Sequence, residues 1–100
     1  MFPVPTKEST DKIGKLDKIE AILKTRDDTH GDYNDTAAAA QKVKDILRSY
    51  PNWSRLDAPK REAIDLIATK LGRIIAGNFN FADHWNDIAG YAKLVSDRLA

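Results

Sequence analysis

Apolar residues recur at three- and four-residue spacings in four separate stretches of the chain, and each stretch predicts an amphipathic helix. In the first, Ile13, Leu16, Ile19, Ile22 and Leu23 keep the helical period behind Thr10, a good N-cap. The second runs from Asp35 or Thr36 to Ser49, carries Ala39, Ala40, Val43, Ile46 and Leu47, and is stopped by Pro51. The third has the clearest boundaries. Asp57 caps it, Pro59 sits in its first turn and Gly77 ends it, around a stripe of Ile64, Ile67, Ala68, Leu71, Ile74 and Ile75. The fourth opens at Ala82 or Asp83 and runs to near Leu99, with Trp85, Ile88, Ala89, Ala92, Val95 and Leu99 on one face. No stretch alternates with the two-residue period of a strand. The expected class is all-α, a small four-helix bundle in one domain.

The segments between these helices complete the outline. Residues 1–9 read as an extended N-terminal arm, held open by Pro3 and Pro5, and residues 10–100 as the helical domain. Arg26 to Tyr33 is charged, contains Gly31 and has no period, so it reads as a loop. Trp53 and Leu56, in "YPNWSRLDAP", are expected to plug the core. A 100-residue chain buries somewhat over half of its unfolded surface. Such a domain folds alone, and dimerisation would complete it.

Composition narrows the chemistry. Sixteen basic residues against fifteen acidic leave a net charge of +1. Broad non-specific nucleic-acid binding needs a strongly basic face, so DNA is an unlikely partner. The absence of cysteine excludes disulfides, thiolate catalysis and thiolate-bound zinc. No secretion signal and no long apolar run is present, so a cytoplasmic protein with no membrane association is expected. His30 and His84 lie far apart, which gives zinc little support. There is no phosphate-binding glycine loop and no nucleophile elbow. Any catalysis would be metal-assisted rather than covalent.

Four groups of polar residues stand out. Lys70 has Leu66, Ile67, Arg73 and Ile74 as its helical neighbours, so it either snorkels or, with Arg73, meets a carboxylate or phosphate. Asp83, His84, Asp87 and Tyr91 make one polar strip on the fourth helix. Beside it, Gly90 suggests close approach of a ligand or a backbone. Glu62 and Asp65 share a face of the third helix. With Asp83 and Asp87 they would supply oxygen ligands of the kind magnesium takes, with Glu62, Asp65 and Asp87 as the metal set. The fourth group is Arg26, His30 and Asp32, crowded around Gly31. The competing explanations are a structural ion pair or two solvated side chains for Lys70 and Arg73, close helix–helix packing at Gly90, solvated faces for the carboxylates, and a plain capped connector around Gly31.

The stretches "LKTRDDTHGDYNDTAAAAQKVKDIL" and "KREAIDLIATKLGRIIAGNFNFADHWNDIAGYAKLV" resemble a small uncharacterised family of tailed phages and prophages. Its pattern is an Arg before Tyr-Gly-Asp, then Lys-x-x-Arg, then Asp-x-Trp-x-Asp-Ile-Ala-Gly-Tyr. The likeness covers roughly Ile22 to Leu99, with His30 in the tyrosine's place. That family is distantly similar to MazG-like nucleotide pyrophosphohydrolases, which hold magnesium on two acidic pairs. The nearest equivalents here are Glu62 with Asp65 and His84 with Asp87. The resemblance implies a phage accessory protein in the bacterial cytoplasm, homo-oligomeric, that binds a nucleotide or similar phosphorylated molecule. Turnover, if it occurs, would be magnesium-dependent pyrophosphohydrolysis. The alternative is a phage protein that binds a host protein, in anti-defence or regulation, through exposed aromatics such as Trp53, Phe79 and Phe81.

Overall fold

The structure is a computed structural model that describes residues 7–99, with side chains described from Gly14 onward. Most of the expected N-terminal arm therefore lies outside the described residues. Four helices follow in chain order: α1 (Lys7–His30), α2 (Tyr33–Arg48), α3 (Ala58–Ala76) and α4 (Ala82–Leu99), with a short 3₁₀ turn at Pro51–Arg55. No strand occurs among the described residues. The class is all-α, a small bundle-like domain. No described helix is long and apolar enough to cross a membrane.

Local chemistry explains the boundaries. Asp32 caps α2, its carboxylate accepting from the Asp35 backbone N–H at 3.2 Å. Asp57 does the same for α3 through Lys60 N, with proline in the first turn as expected. The segment read as a loop, Arg26 to Tyr33, is helical over most of its length. α1 continues through His30, and only Gly31 and Asp32 separate it from α2. Charge and missing apolar period do not break a helix whose one flank is solvated. The break falls at Gly31, the one glycine with positive φ (80°), a conformation that other residues rarely adopt. The start of α1 also precedes Thr10 by three residues.

The body is α2 packed on α3 and α3 packed on α4. Its tightest seam is between α2 and α3. Thr36 and Ala40 face Gly72 there, and Ala63, Ala68 and Ile74 are buried along α3. A β-carbon on Gly72 would fall 2.7 Å from the Thr36 carbonyl oxygen and 3.0 Å from Ala40 Cβ. The backbones approach this closely only because that position has no side chain. Trp53 and Leu56 are half-buried rather than core residues. Trp53 carries the Arg48 guanidinium 5.7 Å above its ring.

Two faces differ from the expected ones. On α1, Leu16, Ile19, Ile22 and Leu23 remain 37 to 60% exposed, because only the C-terminal end of α1 meets the body. On α4 the inward stripe is His84, Ile88, Tyr91 and Val95, with Asp87 beside it, while Trp85 and Leu99 are exposed. Half of the strip read as polar is thus the packing face.

Candidate functional site

Where the end of α1 meets α2 and α3, the helices leave a cavity of about 380 Å³. α1 contributes Leu23, Arg26, Asp27 and His30. α2 contributes Tyr33, Thr36, Ala37, Ala40, Gln41 and Lys44, and α3 contributes Thr69 and Arg73. The reason for the cavity is the run of small residues on α2. Alanines and a threonine let α2 lie close to α3, and they leave a shallow apolar floor below the longer side chains at the rim. The Thr36 and Thr69 hydroxyls are spent on their own helices, donating to Tyr33 O and Asp65 O. The free polar chemistry of the cavity therefore comes from Arg26, His30, Lys44, Arg73, Gln41, Tyr33 and one carboxylate, Asp27.

His30 is held from several sides. Its Nδ1 is hydrogen-bonded to Thr29 Oγ1, and among the described residues nothing engages Nε2. Its ring lies 4.8 Å from that of His84, edge to face, and 5.9 Å from Phe81. Burial lowers the pKa of His30 below the usual 6.5, and the nearby charges of Arg73, His84, Arg26 and Lys70 lower it further. The imidazole is therefore neutral at pH 7 in a distinctly electropositive setting.

Behind it, His84 is 1% exposed and is the largest fully buried side chain among the described residues. Its Nε2–H donates to the Thr29 carbonyl oxygen at 2.8 Å and so ties α4 to the last turn of α1. That carbonyl is one of the orphans at a helix C-terminus, which explains why a donor is useful there. Among the described residues His84 Nδ1 has no hydrogen-bond partner. Next along α4, Asp87 Oδ2 sits 2.7 Å from Lys70 Nζ, with Lys70 buried and Asp87 partly exposed. The Lys70 ammonium bonded to Asp87 holds that carboxyl below the usual carboxylate range.

The expected residues thus fall into separate places. Arg26, His30 and Arg73 meet in one cavity although they come from α1 and α3. Lys70 and Asp87 form a clasp between α3 and α4 and do not line the cavity. Asp32 is a helix cap. Asp83 is exposed in the first turn of α4, and Tyr91 is half-buried in its packing face. Gly90 has open space around it, so it permits no close approach. The glycines that do so are Gly31, Gly72 and Gly77. A β-carbon on Gly31 would lie 2.5 Å from Gly77 Cα, so the two interhelical corners touch backbone to backbone.

The magnesium set does not converge either. Asp65 faces α2, where its carboxylate accepts from Arg48 at 3.0 Å, Glu62 is exposed, and Asp87 is engaged by Lys70. Among the described residues no three histidine or acidic side chains gather closely enough to hold a metal ion. Reading the sequence missed Lys44, Gln41 and Tyr33. The signal for them was the small-residue stripe Thr36, Ala37, Ala40, which marks the side of α2 where a neighbour comes close and where the flanking long side chains must reach over.

Compared with protein-family models, with curated proteins and with solved structures, the chain matches none.

Proposed function

We propose that this protein binds a nucleotide or a similar phosphorylated small molecule in the cavity between α1, α2 and α3. One observation carries the reading: Arg26, His30 and Arg73 line a single cavity of about 380 Å³, with Lys44 on the facing helix. That size is at the lower end of small-molecule sites, about 300–1,000 Å³. Two guanidinium forks and an ammonium are suited to phosphate oxygens. Leu23, Ala37 and Ala40 supply apolar floor for a ring, and Gln41, Tyr33 and Asp27 supply polar groups for a base edge or a sugar hydroxyl. The reading is one of binding. The carboxylates by which a MazG-like enzyme would hold magnesium do not gather, so no hydrolytic step is assigned. Magnesium would arrive only with the phosphates of the ligand. A phage accessory role, including sequestration of a host defence signal, rests on the motif resemblance.

The test is thermal melting against nucleoside mono- and triphosphates and cyclic nucleotides, with and without magnesium. A ligand at a hundred times its Kd stabilises by about 2.7 kcal/mol. In a domain of this size each kcal/mol raises Tm by roughly 4–8 °C. The shift should vanish in Arg26→Ala and Arg73→Ala and survive in Asp83→Ala. Absence of any shift across the panel refutes the reading.

A second reading has its own observation. Ile75, Phe79 and Trp85 are 79, 64 and 53% exposed, and Trp85 Nε1–H donates to Phe79 O at 3.0 Å, which fixes the indole at the surface. Exposed aromatics of this kind anchor protein interfaces. We propose a host protein as the alternative partner. A complex of purified components that Phe79→Ala and Trp85→Ala abolish, with no small-molecule shift, would establish it in place of the first.

A further inference from the structure

The cavity holds two kinds of positive group, and the difference between them bears on which phosphates it takes. Arg26, Lys44 and Arg73 are fixed cations. His30 is a conditional one. Its Nδ1 is occupied by Thr29, so Nε2 is the nitrogen left for a bound molecule. The groups around that ring come from every neighbouring element. Arg26 and the cavity carboxylate Asp27 stand on its own helix, Tyr33 and Lys44 across the cavity on α2, Lys70 and Arg73 on α3, and His84 and the Lys70-paired Asp87 on α4. The Thr29 hydroxyl donates to the Thr25 and Arg26 carbonyl oxygens, so its oxygen accepts from Nδ1–H and the neutral ring keeps its lone pair on Nε2.

We infer that His30 makes the cavity selective for phosphate monoesters over phosphodiesters, with one proton taken up as the monoester binds. This rests on the cavity being a phosphate site, as proposed above. A monoester carries about −1.5 to −2 charges at pH 7, with a second pKa near 6. Its dianion offsets the arginine charges that oppose protonation of the imidazole. Nε2 then gains a proton from solvent and donates it to a phosphate oxygen as a charge-assisted hydrogen bond. A monoester that arrives as the monoanion brings the same proton on its own P–OH. Either way one proton lies between Nε2 and the phosphate. A diester has a single charge and no proton. Its oxygens would face a lone pair at Nε2 or leave an imidazolium poorly compensated. The class of ligand is therefore a molecule with a terminal phosphate, with a body small enough for the cavity.

Calorimetric titration with two matched pairs tests this: adenosine 5′-monophosphate against adenosine 3′,5′-cyclic monophosphate, and methyl phosphate against dimethyl phosphate. Each is run in buffers of different ionisation enthalpy, which counts protons directly. The monoester of each pair should bind at least about tenfold more tightly, as expected for one hydrogen bond to a charged group. It should take up close to one proton between pH 7 and 8, so its Kd rises up to about tenfold over that unit. His30→Gln offers an uncharged amide in place of Nε2, so both the preference and the proton uptake should disappear while binding persists. Equal affinity within each pair, or no proton uptake by the monoester, overturns the inference and leaves the phosphate site standing. No binding of any of the four probes overturns the inference and the site together.

Discussion

His84 occupies the position in the fold where a single side chain does the most. It fills buried space and supplies the donor for the Thr29 carbonyl, linking residues 55 apart in sequence. His84→Ala would leave both a void and an unsatisfied carbonyl. We expect a loss of about 2–4 kcal/mol in chemical denaturation. His84→Gln keeps a donor and should lose less. His30 gives a prediction of different sign. The unfolded chain takes up the histidine proton near 6.5, the folded chain only at lower pH. Between the two values the unfolded state binds more protons, so stability falls as pH drops below about 6.5. His30→Asn should flatten that part of the stability–pH curve, and an anionic ligand should do the same by charge compensation. At the clasp, Asp87→Ala strands a buried ammonium while Lys70→Met does not, so the lysine replacement should be the milder of the two in melting experiments.

At the scale of elements, the glycines separate packing from propensity. Gly72→Ala pushes a methyl group into the Thr36 carbonyl and should be strongly destabilising. Gly90→Ala meets nothing within 4 Å and sits inside α4, so it should stabilise by up to about 1 kcal/mol. Opposite Tm shifts in the two variants would check both statements at once. These glycines also show what could be read from the sequence. Caps and stops are local chemistry, so Asp57, Pro59 and Gly77 placed α3 almost to the residue. Inward faces are not local. Trp85 and His84 are neighbours, and hydrophobicity favours turning the tryptophan inward. The structure turns the histidine inward, because a donor was needed over the end of α1. The candidate site was legible as residue types, with Arg26, His30 and Arg73 each singled out. That they share one cavity depends on how α1 crosses the α2–α3 pair, and no spacing in the sequence encodes that crossing.

At the scale of the molecule, the dimensions are unusual for 100 residues. The radius of gyration is 18.5 Å and the extents are 58 × 28 × 26 Å. A compact domain of that length has a radius near 13 Å. The difference comes from α1, about 36 Å of helix, whose described side chains are covered only toward its C-terminal end. A helix supported that sparsely is marginal over its free length. Amide hydrogen exchange should therefore be fast from Gly14 to about Ile22 and slowest in α3, at Ala68 and Ile74. Uniform protection along α1 would mean that something covers it in solution, and sedimentation analysis would then show whether a second copy does.

The long-range tie between His84 and Thr29 also sets an order of events. α2 with α3, and α3 with α4, are helical hairpins closed by short connections, whose ends meet at small entropic cost. α1 is joined to α2 by only Gly31 and Asp32, but its described contacts with the body lie in its last turns, so that joint alone does not dock it. The bond at its Thr29 carbonyl, which ties it to α4, requires α4 already in place on α3. α1 should thus be the last of these helices to dock, and the cavity it walls the last part of this bundle to form. In kinetic terms, replacements at Gly72 or Ala68 should slow folding, whereas His84→Gln should leave the folding rate nearly unchanged and accelerate unfolding.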